Sequence, residues 1–276
     1  MSATVIPSLC VAMTTTETRT QPATDSVTER PPLLFVHGAW AGAYVWHDHF
    51  IPWFTERGWE CHAIDLRHHG DRGGPKTLRR TRIKDYVDDL AAAVADLPQP
   101  PVIIGHSMGA LVTQRYLEWR WTLPGAVLLA PVPLGGVWRA TGRLARRHPL
   151  KFLHANVTFD LGKAMNTAAV VRPMLMGHDA DDAAVNAMVT RSRGESFLAY
   201  LDMMFVTRAR PQLVQTPVRV IIGDHDRLFS VKEATRHAGA YGIEPIVLTG
   251  LAHHLPGSPR WEQVANATLK AIEDLL

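Results

Sequence analysis

The stretch PPVIIGHSMGALVTQRYL, residues 100–117, decides the fold. An apolar run, PVIIG (101–105), ends at a glycine. A serine comes two residues later, and a helical pattern begins at once. A serine between two glycines, with a strand before it and a helix after it, marks a sharp turn that lifts the hydroxyl above a sheet and aims the first helical N–H groups at the same spot. Gly105 and Gly109 lack the Cβ atoms that would collide with the neighbouring backbone at so tight a corner. Ser107 is therefore the first candidate for chemistry.

Further strand-like runs are LLFVH (33–37), ECHAI (60–64), GAVLLA (125–130), VRVIIG (218–223) and PIVLT (245–249). Near-continuous Val, Ile and Leu without alternation is the pattern of strands covered on both faces. Helical patterns lie between them. In RIKDYVDDLAAAVADL (82–97), Ile83, Tyr86, Val87, Leu90, Val94 and Leu97 recur at spacings of three and four, and Pro98 stops the run. RWEQVANATLKAIEDLL (260–276) predicts a closing helix. Strands alternating with helices predict a mostly parallel, doubly wound α/β sheet of about six strands, with ligands beyond the carboxyl ends of the strands. Residues 134–213 break the rhythm. They hold no strand-like run and carry Met165, Met174, Met176, Met188, Met203 and Met204, six of the nine methionines. An all-helical insertion after the fourth recognised strand reads as a cap. The core is then 32–133 with 214–276, and residues 1–31 are expected to be a disordered leader, with Met13 an alternative start.

A serine hydroxyl needs a base within hydrogen-bond reach, and the base needs an acid to orient it. The fifth run ends in GDHD (223–226) and the sixth in GLAHH (250–254), so acid and histidine come after the serine at strand tips. Together with LLFVHGAW (33–40) and GHSMG (105–109), these residues resemble an α/β-hydrolase over roughly residues 32–276, and bacterial lysophospholipase or monoacylglycerol lipase-like esterases in particular. HGAWAGAYVW (37–46) also resembles the plant esterase and hydroxynitrile lyase branch. The resemblance implies Ser107 as nucleophile, Asp226 as acid and His253 as base, with Asp224 and His254 as neighbouring alternatives. It also implies Ala39 and Met108 as the oxyanion N–H donors, with Trp40 the alternative to Ala39. Haloalkane dehalogenases and epoxide hydrolases place an aspartate where Ser107 stands.

The activity implied is that of a carboxylic ester hydrolase working through an acyl-enzyme on an ester with an apolar acyl or alcohol group. Acyl transfer, thioester or lactone cleavage, C–C cleavage and cyclisation with the same triad remain as alternatives, as does a hydrolase-like binding protein. Adaptable methionines suit an apolar pocket; Trp40, Trp138, Met174, Met203 and Phe205 are the candidates for its wall. No cofactor or metal is expected. The histidines of DLRHHGDRG (65–73) read as a structural loop, His37 as a brace for the oxyanion loop and His106 as packing under the turn. A net charge of +3 without a basic stripe interleaved with aromatics argues against nucleic acid. Arg139, Arg143, Arg146, Arg147 and Lys151 make RATGRLARRHPLKFLH (139–154) basic and amphipathic, which admits a weak contact with a lipid interface or an anionic substrate. Two cysteines, Cys10 and Cys61, predict no disulfide. With no export signal, the expected compartment is the cytoplasm.

Overall fold

A computed structural model of the chain describes residues 18–21, 30–73, 78–119, 122–159, 161, 167–192 and 194–276. Among the described residues seven strands form one sheet: β1 (Thr18–Gln21), β2 (Leu33–Val36), β3 (Cys61–Ile64), β4 (Val102–His106), β5 (Gly125–Leu129), β6 (Val218–Gly223) and β7 (Ile246–Leu248), in the order β1-β3-β2-β4-β5-β6-β7. The six strands from β2 to β7 run parallel. β1 pairs antiparallel with β3, Thr18 opposite Ile64. Those four residues correct the expectation of a leader devoid of structure. TRTQ holds no apolar run, so hydrophobic patterning is blind to it. The other residues of 1–29, Cys10 and Met13 among them, lie outside the described residues, as does Met165.

Parallel strands buried on both faces alternate their side chains between two cores. Leu34, Val36, Ile103, Leu128 and Ile222 pack with Ile83, Tyr86 and Leu90 of α3 (Ile83–Ala95) and with Leu111 of α4 (Met108–Trp119). Leu33, Phe35, Ile104, Val127 and Ile221 face the other way. They meet Trp46 of α1 (Tyr44–His47), Phe50 and Phe54 of α2 (Phe50–Thr55), and Val264 and Ile272 of the last helix, Trp261–Glu273. The chain steps from β2 to β3 on one side and returns to β4 on the other. This puts the topological switch between β2 and β4, where an open α/β sheet offers its ligand crevice.

Between β5 and β6 the described elements are all helical, among them α5 (Trp138–Arg147), α6 (Pro149–Thr158), α7 (Ala168–Val171), α8 (Asp182–Arg191) and α9 (Phe197–Leu201). They enclose a small core of their own around Val170, Val171, Leu175, Val185 and Met188. The basic stretch 139–154 is not one amphipathic helix but parts of two, meeting at His148. Leu144 and Phe152 turn inward, whereas Leu150 and Leu153 are exposed. Val231–Gly239 forms α10, and Trp261–Glu273 is α11. Among the described residues no helix is long and apolar enough to cross a membrane.

Candidate active site

Ser107 stands alone between β4 and α4, with φ at 54°. A non-glycine residue in the left-handed region is strained, and it persists only where its surroundings hold it. Here its N–H donates to the Leu129 carbonyl at 2.9 Å, and its own carbonyl accepts from Ala110 N–H at 3.1 Å. The glycines explain the tightness. A Cβ on Gly105 would lie 2.7 Å from the Gly109 carbonyl oxygen, and one on Gly109 would run into the carbonyl oxygens of Val36 and His37.

His253 Nε2 lies 3.0 Å from Ser107 Oγ, and its Nδ1 lies 2.7 Å from Asp226 Oδ2. The other carboxylate oxygen of Asp226 accepts the N–H groups of Leu228 and Phe229 at 2.7 and 2.8 Å, which fixes the acid from behind. Asp224 does something else. Its Oδ1 accepts Gly250 N–H at 2.6 Å, tying the loop after β6 to the loop after β7. His254 is buried, its N–H donating to the Leu175 carbonyl at 2.8 Å. Burial, reinforced by the nearby His253, pushes its imidazole down to about 4. The structure thus brings Ser107, His253 and Asp226 into one chain of hydrogen bonds and leaves Asp224 and His254 outside it.

Two more histidines are neutral supports. His106 lies under the turn and donates from Nε2 to the His253 carbonyl at 2.9 Å; burial first, then His253 and His254, holds its pKa well below the usual value. His37 donates from Nδ1 to the Gly38 carbonyl at 2.8 Å and accepts Leu66 N–H on Nε2 at 3.1 Å. Burial, with a smaller contribution from His69, lowers it to about 4.

The loop after β2 separates the two oxyanion candidates. Trp40 N–H is committed to Glu195 Oε2 at 3.3 Å, whereas Ala39 N–H has no acceptor among the described residues. Glu195 lies between α8 and α9, fully buried, and no sequence pattern points to it. It accepts from His69 Nε2 at 3.0 Å, Tyr86 Oη at 2.9 Å and Ser196 N–H at 2.7 Å as well. Ser192 Oγ donates to the Trp40 carbonyl at 3.1 Å, so both sides of Trp40 are held from the helical insertion. Burial would neutralise this pair. The charge and hydrogen bond of each on the other outweigh it, lowering Glu195 and raising His69. The histidine loop 65–73 is therefore a strut, and among the described residues no group of three or more His, Cys, Asp or Glu is placed to hold a metal ion.

Above Ser107 lies an apolar cavity of about 80 Å3, several times the ~10–15 Å3 that admits one water. Ala39, Trp40, Met108, Leu144, Phe152, Met174, Met203 and Phe229 are among the residues that line it. Met174 and Met203 each sit in a wide i→i+5 turn, Arg172–Met176 and Asp202–Val206, a geometry frequent at functional sites. Trp138 and Phe205, expected in the wall, are 51% and 67% exposed and do not line it. Phe205 lies two positions beyond Met203 in the same turn and faces outward, and Trp138 opens α5 with the Arg139 guanidinium over its ring.

A model of the alpha/beta hydrolase family matches residues 33–267. Over 90 residues the chain is 33% identical to protein phosphatase methylesterase 1 of Bos taurus, a match covering 32% of this chain and 24% of that protein. The chain thus spans about a quarter of the length of that relative. Among solved structures, the esterase RhEst1 from Rhodococcus sp. ECU1013 superposes with a TM-score of 0.70 at 19% identity, covering 94% of both chains. The monoacylglycerol lipase of Paleococcus ferrophilus superposes with a TM-score of 0.66 at 17% identity, covering 90% of this chain and 97% of that one. At such identities these structures speak to the fold. The family model, which takes in the sheet from β2 onward and both loops that carry the acid and the histidine, places this chain in the alpha/beta hydrolase family.

Proposed function

We propose that the protein is a serine hydrolase that cleaves a carboxylic ester through an acyl-enzyme intermediate, with one apolar arm of the ester in the cavity over Ser107. The observation that carries the reading is the single hydrogen-bonded line Ser107 Oγ–His253–Asp226, with contacts of 3.0 and 2.7 Å, opening into an apolar space. Both distances lie within the range proton transfer needs.

His253 Nε2 takes the hydroxyl proton as Ser107 Oγ attacks the ester carbonyl. Ala39 and Met108 N–H receive the oxyanion, a contribution of about 3–4 kcal/mol for each donor. Asp226 holds His253 with Nδ1 protonated and offsets the charge it acquires. The tetrahedral adduct collapses, His253 passes its proton to the leaving alkoxide, and the alcohol departs. Water then loses a proton to His253 as it attacks the acyl carbonyl, and the proton returns to Ser107 as the acid leaves. Trp40 Nε1, buried with no acceptor among the described residues, supplies a further donor in the cavity wall.

The test is intact-mass spectrometry after a fluorophosphonate probe. One adduct on the wild type and none on Ser107→Ala is expected, together with turnover of short-chain esters by the wild type alone. A folded wild type that takes up no probe and cleaves no ester overturns the reading.

A further inference from the structure

A second concavity, of about 500 Å3, opens where α5 faces the loop after β6. Its walls are Arg143, Arg146 and Arg147 of α5, Arg227 and Ser230 of the loop, and Met174. Met174 also lines the apolar cavity over Ser107, so the two spaces share a wall. Asp226 belongs to the rim of this cleft too, but its carboxylate is committed to His253 and to two backbone N–H groups.

The charges do not balance. Glu233 of α10 lies 3.7 Å from Arg143 and is already engaged by the Ser230 N–H and hydroxyl. Arg143 donates to the Leu228 carbonyl, yet its Nε is buried with no acceptor among the described residues. The guanidinium groups of Arg146, Arg147 and Arg227 have neither an ion pair nor a hydrogen bond among the described residues. One unpaired arginine on a surface is ordinary. Four guanidinium groups from two elements around one concavity repel one another, and such a cleft concentrates field lines on whatever anion enters. The planar guanidinium fork suits carboxylate and phosphate oxygens.

We propose that this cleft binds the carboxylate or phosphate of an anionic substrate arm. The substrate class is an ester with one apolar arm over Ser107 and one anionic arm running past Met174 into the arginines. This rests on the ester-hydrolase reading above and narrows it.

Two esters test it: phenyl butanoate and 4-carboxyphenyl butanoate, whose leaving groups differ in charge at a remote position. The ratio of their kcat/KM values is measured for the wild type and for Arg146→Gln/Arg147→Gln, so that a general loss of activity cancels. The wild type is expected to favour the anionic ester about tenfold at low salt, a preference of the size that steering charges confer and salt screens. It is expected to fall towards one in the double variant and at high salt. A wild-type ratio near one, or a preference the double variant keeps, overturns the proposal. Calorimetric binding of the same esters to Ser107→Ala, with and without the two arginines, separates this proposal from the hydrolysis reading. Preferential binding of the anionic ester that needs the arginines upholds the cleft even if no ester is turned over, and equal binding overturns it. Sedimentation with phosphatidylserine vesicles that depends on the arginines, alongside an ester ratio of one, reassigns them to a lipid surface.

Discussion

Two buried histidine–carboxylate pairs differ in what their second nitrogens meet. His253 has Asp226 at 2.7 Å on Nδ1; His69 has Glu195 at 3.0 Å on Nε2. Beyond His253 stands the Ser107 hydroxyl, which can give up a proton, so Nε2 is free to accept one. Beyond His69 stands the Arg67 carbonyl, 3.0 Å from Nδ1, and a carbonyl only accepts. With acceptors on both nitrogens, His69 is held as an imidazolium and is closed to base chemistry. A histidine beside a carboxylate thus faces a hydroxyl donor in one place and forms a fixed ion pair in the other.

The largest effect is expected of Asp226→Asn. The amide no longer holds His253 with Nδ1 protonated, and kcat for ester hydrolysis is expected to fall by about four orders of magnitude with the fold intact. A loss of under tenfold would remove Asp226 from the acid role. Glu195→Gln tests the other pair. Removing one partner of a buried ion pair costs about 3–5 kcal/mol, so thermal melting should drop markedly. If Glu195 also positions the loop through Trp40, kcat falls with KM little changed; unaltered kinetics in a folded variant would leave it a structural pair alone.

A third expectation concerns acid. His37, His254 and His237, a buried residue of α10 hydrogen-bonded to Gln114, are pushed by burial to about 4, and His106 is well below its ordinary value. Between pH 6.5 and 4 the unfolded chain binds more protons at these groups, so stability falls on acidification, by about 2 kcal/mol for each of the three at pH 5. His69 opposes this: its raised pKa adds stability that is fully present below its unfolded value and fades as pH rises through the folded one. Four groups outweigh one, and Tm should drop by roughly 10 °C or more from pH 7.5 to 5. A flat profile would refute the neutral assignments. The smallest effect belongs to Asp224→Asn, which loosens the tie to Gly250 without touching His253. A change in kcat within about threefold is expected, and a loss like that of Asp226→Asn would erase the distinction drawn between the two aspartates.

Ser107, Asp226 and His253 are legible because each sits where an apolar run ends, in a motif whose spacing is local. Glu195 is not. It stands in RSRGESF (191–197) without a strand before it, and its side-chain partners lie far off in sequence: it meets Trp40 across 155 positions. The one available hint is HHG at 68–70, a histidine pair in need of a counter-charge. The inward turn of Met174 and Met203 and the outward turn of Phe205 arise from wide turns that periodicity does not register. β1 escapes because a polar edge strand is specified by the strand it pairs with.

The two hydrogen bonds that hold Trp40, one from Ser192 and one to Glu195, bear on engineering. Segments that roof an active site are attractive units to exchange between related enzymes, as though they were lids fitted to a common vessel. Here the roof also grips the rim. A transplanted segment would need a carboxylate and a hydroxyl at these two places, or the grafted chain would gain a new pocket and lose the brace on the loop beside Ser107.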